Sequence, residues 1–273
     1  MDADDRRAAV MDETGAETVA VAGDWHGSAG WGRRVVEDVA ARGVRRLFHV
    51  GDFRIWASTL GTAFLRDVDA ACVEHDVTVY VTPGNHEWWP AIIGAPVEAR
   101  DDVGAIAWFG ERVAVVPRGH RFEVAGRSFL SVGGAPSIDF EDLVPGADWW
   151  PEEMITPTDV HRAIAGGSVD ILLTHDSPDA PWQVPAVAKI CESNPGGWSN
   201  RARAYATIGR RRLSAVVVAV EPQLLVHGHY HLAGETVVEL PGTACRIVAL
   251  DREWSSGNTA FVDLPTLSVR RSW

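Results

Sequence analysis

The 273-residue chain has little that would tie it to secretion, to a membrane or to nucleic acid. It holds only three cysteines, Cys72, Cys191 and Cys245. They are odd in number, widely spaced and set mostly in apolar surroundings, which excludes a disulfide framework and a zinc ribbon and fits a reducing compartment. No apolar run approaches the roughly 20 residues that span a bilayer. Residues 1–17 are acidic and polar, without the basic and apolar regions of a secretory leader, and 1–16 are expected to form a disordered tail. Basic charge is also short. The formal net charge of −12 works against attraction to nucleic-acid backbones and anionic membranes. Internal repeats, low-complexity tracts and linkers between two cores are lacking too. The expectation is a cytoplasmic protein with no membrane contact, of ordinary globular composition at 46% hydrophobic and 23% charged residues, forming one domain over 17–273.

What is present is an alternation of apolar runs and amphipathic stretches. Residues 18–22 read as a strand and 31–42 as a helix closed by Gly43; 46–50 and 62–75 repeat the pattern, and 77–81 begins a third unit. Alternation of this kind argues for an α/β fold with a largely parallel sheet. The character then changes. Short strand-like runs at 105–109, 113–116, 121–124 and 128–132 suggest an antiparallel or mixed section. A helix is expected over 158–165 with Thr156 or Thr158 as its cap, and a buried strand over 169–173. A longer helix over 203–219 leads to a strand at 224–226, and strands at 236–240, 246–250 and 259–262 finish the chain. Residues 137–157 and 177–200 read as long loops, which in a compact domain are usually functional.

Five segments carry the chemistry: Gly23-Asp24-Trp25-His26-Gly27, Gly51-Asp52, Gly84-Asn85-His86-Glu87, Thr174-His175-Asp176 and Gly228-His229-Tyr230-His231. Each falls where a strand-like run gives way to Gly-rich turn sequence, so each is expected just past the carboxyl end of a strand, where open α/β sheets bind ligands. Asp24 and His26 are two apart and project to one face in extended backbone. Asp52 can bridge two ions with its two oxygens, at the spacing of about 3.5–4 Å that suits an in-line displacement. The mixed oxygen and imidazole donors suit Mn, Fe, Zn, Co or Ni better than a calcium or thiolate site.

The ordered set DxH, GD, GNHE, TH and GHxH resembles the calcineurin-like metallophosphoesterase superfamily over residues from about 20 to 232. The resemblance implies a four-layer sandwich, two mixed β-sheets packed face to face and flanked by helices. It also implies two divalent metal ions, manganese foremost. One would take Asp24, His26, Asp52 and His231, and the other Asp52, Asn85, His175 and His229. In that family a hydroxide bridging the ions attacks phosphorus, which makes Asp52 part of the catalytic set, and the histidine at the position of His86 acts on the leaving oxygen. The second motif departs from the common GDxxDR: Gly51-Asp52-Phe53-Arg54-Ile55-Trp56 lacks the second Asp and the Arg at its usual spacing. Arg54 is left either to reach the phosphate from a new position or to form a surface salt bridge. The terminal GHxH, with both histidines, points toward bacterial and phage-type phosphoesterases.

The function expected is hydrolysis of a phosphate ester, with a small phosphodiester or nucleotide favoured. The alternatives are a nuclease or a Ser/Thr protein phosphatase of the same superfamily, or a noncatalytic metal-binding scaffold. His49 and His227 are expected to be buried or to support ligands from behind, and His75, His120 and His161 to be solvated. Trp25, Trp88 and Trp89 adjoin the motifs and offer faces for a base, though core packing is the commoner fate of tryptophan. The Arg210-Arg211-Arg212 run reads as a solvated helix face. Gly133-Gly134 reads as a turn or as a close backbone approach to the site.

Overall fold

Several strands are built from runs that are apolar on both faces, such as Thr-Val-Ala-Val-Ala, Ile-Leu-Leu-Thr and Leu-Leu-Val-His. A run with no solvated face needs cover on both sides. A computed structural model describes residues 17–272 and contains that cover. The tail expected over 1–16 lies outside the described residues, as does Trp273.

The first half of the chain runs β1 (Thr18–Ala22), α1 (Ala29–Ala41), β2 (Arg46–His49), α2 (Thr59–His75), β3 (Thr78–Val81), α3 (Trp89–Gly94), β4 (Val97–Ala99), β5 (Ala105–Trp108), β6 (Val113–Val115), β7 (His120–Val124) and β8 (Arg127–Val132). A short 3-10 turn, Pro151–Glu153, precedes α4 (Pro157–Ile164), β9 (Ile171–Thr174), α5 (Pro185–Ser193), α6 (Asn200–Val220), β10 (Leu224–His227), β11 (Gly234–Glu239), β12 (Ala244–Ala249), β13 (Thr259–Asp263) and β14 (Ser268–Arg271).

These strands form an eight-stranded sheet, ordered β14-β13-β1-β2-β3-β6-β5-β4, and a six-stranded sheet, ordered β11-β12-β10-β9-β8-β7. Each has a parallel centre, β1-β2-β3-β6 in one and β12-β10-β9-β8 in the other, with antiparallel strands at its margins. The mixed section read from sequence therefore divides. β5 and β6 join the first sheet, and β7 and β8 join the second.

Alternation along β1 sets the layers. Val19 and Val21 point into a core between the sheets, together with Phe48, Phe122, Phe129, Leu173 and Val226. Ala20 and Ala22 point the other way, into a core under α1 and α2 that includes Trp31, Val35 and Val68. A third core lies between the second sheet and α4, α5 and α6, with Leu172, Val187, Leu213 and Val217. The result is the expected α/β four-layer sandwich. Among the described residues, no helix is long and apolar enough to cross a membrane.

Helix starts follow caps that the periodicity alone does not mark. α2 begins three residues before the expected 62 because the Ser58 hydroxyl accepts the Gly61 N–H at 3.1 Å. α6 begins at 200 because Ser199 accepts the Ala202 N–H in the same way. Thr156, not Thr158, caps α4, in a reciprocal capping box with Asp159. α5 occupies ground read as loop, since its opening Pro185 is a turn signal by composition but a favoured first helical residue by geometry. β4 and β14 are edge strands of three and four residues, too short to leave a periodic trace.

Phe48 centres the inter-sheet core, with ring centroids 5.2 Å from Tyr80, 5.5 Å from Phe122 and 5.2 Å from Phe129. Phe48→Ala should destabilise the fold by about 3–5 kcal/mol in urea unfolding. A loss below about 1 kcal/mol would mean that the two sheets do not depend on this contact.

Candidate metal centre

All five motif loops leave the carboxyl ends of parallel strands at one end of the sandwich. Asp24 and His26 follow β1, Asp52 follows β2, Asn85 and His86 follow β3, His175 follows β9, and His229 and His231 follow β10. The glycines are there because ligands pass through the space that side chains would take. Gly51 has φ +98°, and a Cβ on it would run into the His175 ring; a Cβ on Gly84 would run into the Asp52 carboxylate. The loops of the two sheets are also tied directly. His175 Nδ1 donates to the Val50 carbonyl at 2.7 Å, and the His229 N–H donates to Asp24 at 3.0 Å.

Asp24, His26, Asp52 and His231 bring ligand atoms within 4.8 Å of one another, and Asp52, His175 and His229 form a second such group. Asp52 belongs to both. Asn85 joins the second group, its Oδ1 lying 3.1 Å from His175 Nε2. The His86 ring sits beside the His26 ring, with centroids 5.9 Å apart, while its backbone N–H donates to Asp52 Oδ1 at 3.0 Å. The fold thus brings Asp24, His26, Asp52, Asn85, His86, His175, His229 and His231 together at one end of the sandwich.

The electrostatics fit a cation. Asp24 and Asp52 are out of solvent. Burial, followed by the repulsion of Asp52, pushes Asp24 up to about 8. Burial also opposes charge on Asp52, but His175, His86 and His26 hold it well below the usual carboxylate range. For His26 and His175 burial favours the neutral ring; the facing carboxylates outweigh it and lift them to about 9 and about 10. The mixed carboxylate, amide and imidazole donors suit a transition metal, whose binding would displace protons from its ligands.

Five of the seven proposed ligands, Asp24, His26, Asp52, His229 and His231, have positive φ. Asp and His tolerate this region better than most residues, yet each such residue still costs about 1–3 kcal/mol. Neighbouring groups hold them there, and most come from segments the motifs do not mark. Glu87, fully buried, accepts the backbone N–H groups of Phe53 and Gly84, joining the second and third loops; burial and the nearby Asp52 push it up to about 7. Glu253 accepts His26 Nδ1 at 2.8 Å and fixes that ring. Asn258 accepts the indole N–H groups of Trp25 at 3.3 Å and Trp31 at 2.7 Å, and donates to the carbonyl of Gly23. Ser137 accepts Asn85 Nδ2 at 3.1 Å and donates to Glu153 at 2.7 Å. Of these only Glu87 carried a sequence signal, as the last residue of GNHE.

The residues around the motifs keep some expectations, as for His49, His227, Trp25 and Trp89, and change others, as for Arg210 and His120. Trp25 and Trp89 are buried and offer no free face. Trp25 packs against His49 and Phe53, and Trp89 donates to the Gly84 carbonyl at 3.2 Å. Arg54 forms no ion pair among the described residues; it lies against Gly27 and over the Trp56 ring at 5.0 Å, at the mouth of the site. Arg210 is not on a solvated face but is buried against Asp179 at 3.2 Å. His120 is half-buried and bonded to the Val103 carbonyl at 2.6 Å. His49 and His227 are fully buried outside both ligand groups. Gly133 and Gly134 are a close approach, the Gly134 N–H donating to the Pro83 carbonyl at 2.6 Å just before the GNHE loop.

Burial pushes the Glu153 carboxyl from 4.5 to about 7, against hydrogen bonds from Ser137, Trp149 and Tyr205. A carboxyl raised on folding favours the folded state most below its unfolded pKa, and that contribution is lost as the pH climbs to the folded value. Glu153→Gln removes the dependence. The melting-temperature advantage of the wild type over the variant should therefore be larger at pH 5 than at pH 8, and a pH-independent difference would contradict the assignment.

Comparison with known proteins agrees with this geometry. Solved structures share the fold, two of them as follows. Protein TT1561 of Thermus thermophilus superposes with a TM-score of 0.57 at 13% identity, covering 94% of this chain and 98% of that one. A dimetal phosphatase from Danio rerio superposes with a TM-score of 0.52 at 12% identity, covering 91% and 93%. Comparison with curated proteins finds no match. The sequence profile of the calcineurin-like phosphoesterases matches residues 17–233, a span that contains all five ligand loops, and the chain belongs to that family.

Proposed function

We propose that the protein is a dimetal-dependent phosphoesterase acting on a small phosphodiester or a nucleotide. The observation that carries the reading is the convergence of two ligand groups that share the buried Asp52. Asp24, His26, Asp52 and His231 would hold one ion, and Asp52, Asn85, His175 and His229 the other. When bound, two divalent ions supply Lewis acidity toward the phosphoryl oxygens and a water acidic enough to act as nucleophile near neutral pH. The remaining work falls to side chains. Glu253 and the Val50 carbonyl orient His26 and His175. His86, half-buried at the mouth beside His26, gives a proton to the leaving oxygen. Arg54, exposed and without an acidic partner among the described residues, meets the substrate's negative charge.

We also infer that residues 17–273 fold as one domain. Support comes from β13 and β14, near the end of the chain, which extend the sheet begun by β1. Manganese is the proposed metal, with iron, zinc, cobalt or nickel as alternatives, and the three free thiols accord with a cytoplasmic setting.

Metal analysis followed by a panel of monoesters, linear and cyclic diesters, nucleic acids and phosphopeptides tests the reading. Asp52→Asn should lose metal and activity together. His86→Ala should keep its metal and lose about 10²-fold or more in turnover on alkyl esters, with a smaller loss on p-nitrophenyl esters. Equal alkyl-ester rates for His86→Ala and wild type would remove the proton-donor role. A protein that takes up no metal and hydrolyses nothing with added Mn²⁺ would be a scaffold instead.

A further inference from the structure

Beside the second ligand group lies a cavity of about 490 Å³, within the size range of small-molecule sites. It is bounded on one side by His229 and Tyr230 and on the other by Ile138. Ile138 directly follows Ser137, which holds Asn85. Both boundaries therefore belong to residues around the proposed second ion, and a phosphoryl group held there would point one of its ester arms into this space. The far walls come from α5 and the turn after it, which the sequence suggested as loop, and from α6, which it suggested as helix.

The chemistry of the walls is specific. Ile190 and the half-buried Trp198 make one side apolar. Trp198 is presented on a fixed backbone, since Asn194 accepts its N–H and donates to its carbonyl, each at 3.0 Å. Its indole N–H has no hydrogen bond among the described residues, and the ring rests against the small Gly196. The other side is cationic. Arg210 gives Nε to Asp179 and Nη2 to Thr207, which leaves Nη1 free. Arg203 contacts only the Cys191 carbonyl, at 3.4 Å, and has no acidic partner among the described residues. No Asp or Glu lines the cavity. In a chain of net charge −12, Arg203 without an acidic partner, beside the free Nη1 of the Asp179-paired Arg210 and with no acid in the lining, marks a place for an anion.

Building on the phosphoesterase reading, we propose that this cavity is the alcohol-side subsite, and that it selects phosphate esters whose alcohol carries a planar ring and a second anionic group, the chemistry of a nucleoside bisphosphate. The ring lies on Trp198 and Ile190, and the second anion meets Arg203 and Arg210. Hydrolysis forms a P–O bond to the oxygen of water and breaks the P–O bond to the alcohol. One proton of the water ends on the alcohol, and the other on phosphate or solvent.

The test measures kcat/KM with added Mn²⁺ for glycerol 3-phosphate, adenosine 5′-monophosphate and adenosine 3′,5′-bisphosphate. In Trp198→Ala, the ratio of either adenosine ester to glycerol 3-phosphate should fall about tenfold, the scale of one lost base stack. In Arg203→Ala, the ratio of bisphosphate to monophosphate should fall about as much. Cys191 lines the cavity while Cys72 and Cys245 are buried, so Cys191 is the thiol an alkylating reagent reaches, and the bisphosphate should protect it. Unchanged ratios in both variants, or alkylation indifferent to the bisphosphate, would overturn the subsite while continued hydrolysis of glycerol 3-phosphate left the phosphoesterase reading standing. Failure to hydrolyse any ester would bring down that reading, and the subsite with it.

Discussion

Two buried carboxylates, Asp24 and Asp52, meet where the two sheets come together, and the groups against them are imidazoles and backbone N–H donors rather than arginine or lysine. Like charges buried side by side are costly unless something neutralises them. With protons alone, Asp24 is driven toward its neutral form, and His26 and His175 toward their cations. Divalent ions would displace those protons, since metal ligands bind deprotonated. The arrangement is therefore one in which folding prepares charge for a cation, and the rest of the fold serves to hold that charge in place.

The holding is done at a distance from the ligands. Left-handed backbone at five ligand positions costs free energy locally, and the fixed parallel strands behind each loop offset it. The segment between β12 and β13 is central to this, because it brings Glu253 to His26 and Asn258 to the first loop, and β13 itself pairs with β1. From the other side, the segment after β8 carries Ser137 to Asn85, with Glu153 behind it. Parts of the chain remote in sequence thus converge on loops that a local reading treats as self-contained.

That difference explains what was legible in the sequence. The ligands were, because each is a polar residue at the end of an apolar run, and the order of the five motifs restricts the chemistry. The four layers were implied by the resemblance that the motifs carry, and the strands apolar on both faces accord with them. Glu253, Asn258, Ser137 and Glu153 were not legible, since each acts through a contact far along the chain and sits in no periodic pattern. Trp25 and Trp89 followed the commoner fate of tryptophan, since adjacency to a motif put them in the core behind it rather than on the substrate side. Arg210 misled by its neighbours, because in a run of three arginines on a helix Arg211 stays exposed, Arg212 is half-buried and Arg210 is buried. Of the walls of the cavity, α6 was expected as a helix, whereas α5 and the turn carrying Trp198 were read as loop, the least informative part of the sequence about substrate.

The central claim is that two ions share Asp52. Anomalous diffraction at the manganese edge, on crystals grown with Mn²⁺, tests it most directly. Two peaks are predicted, one among Asp24, His26, Asp52 and His231 and one among Asp52, Asn85, His175 and His229. A single peak, or peaks that leave Asp52 uncoordinated, would contradict the account.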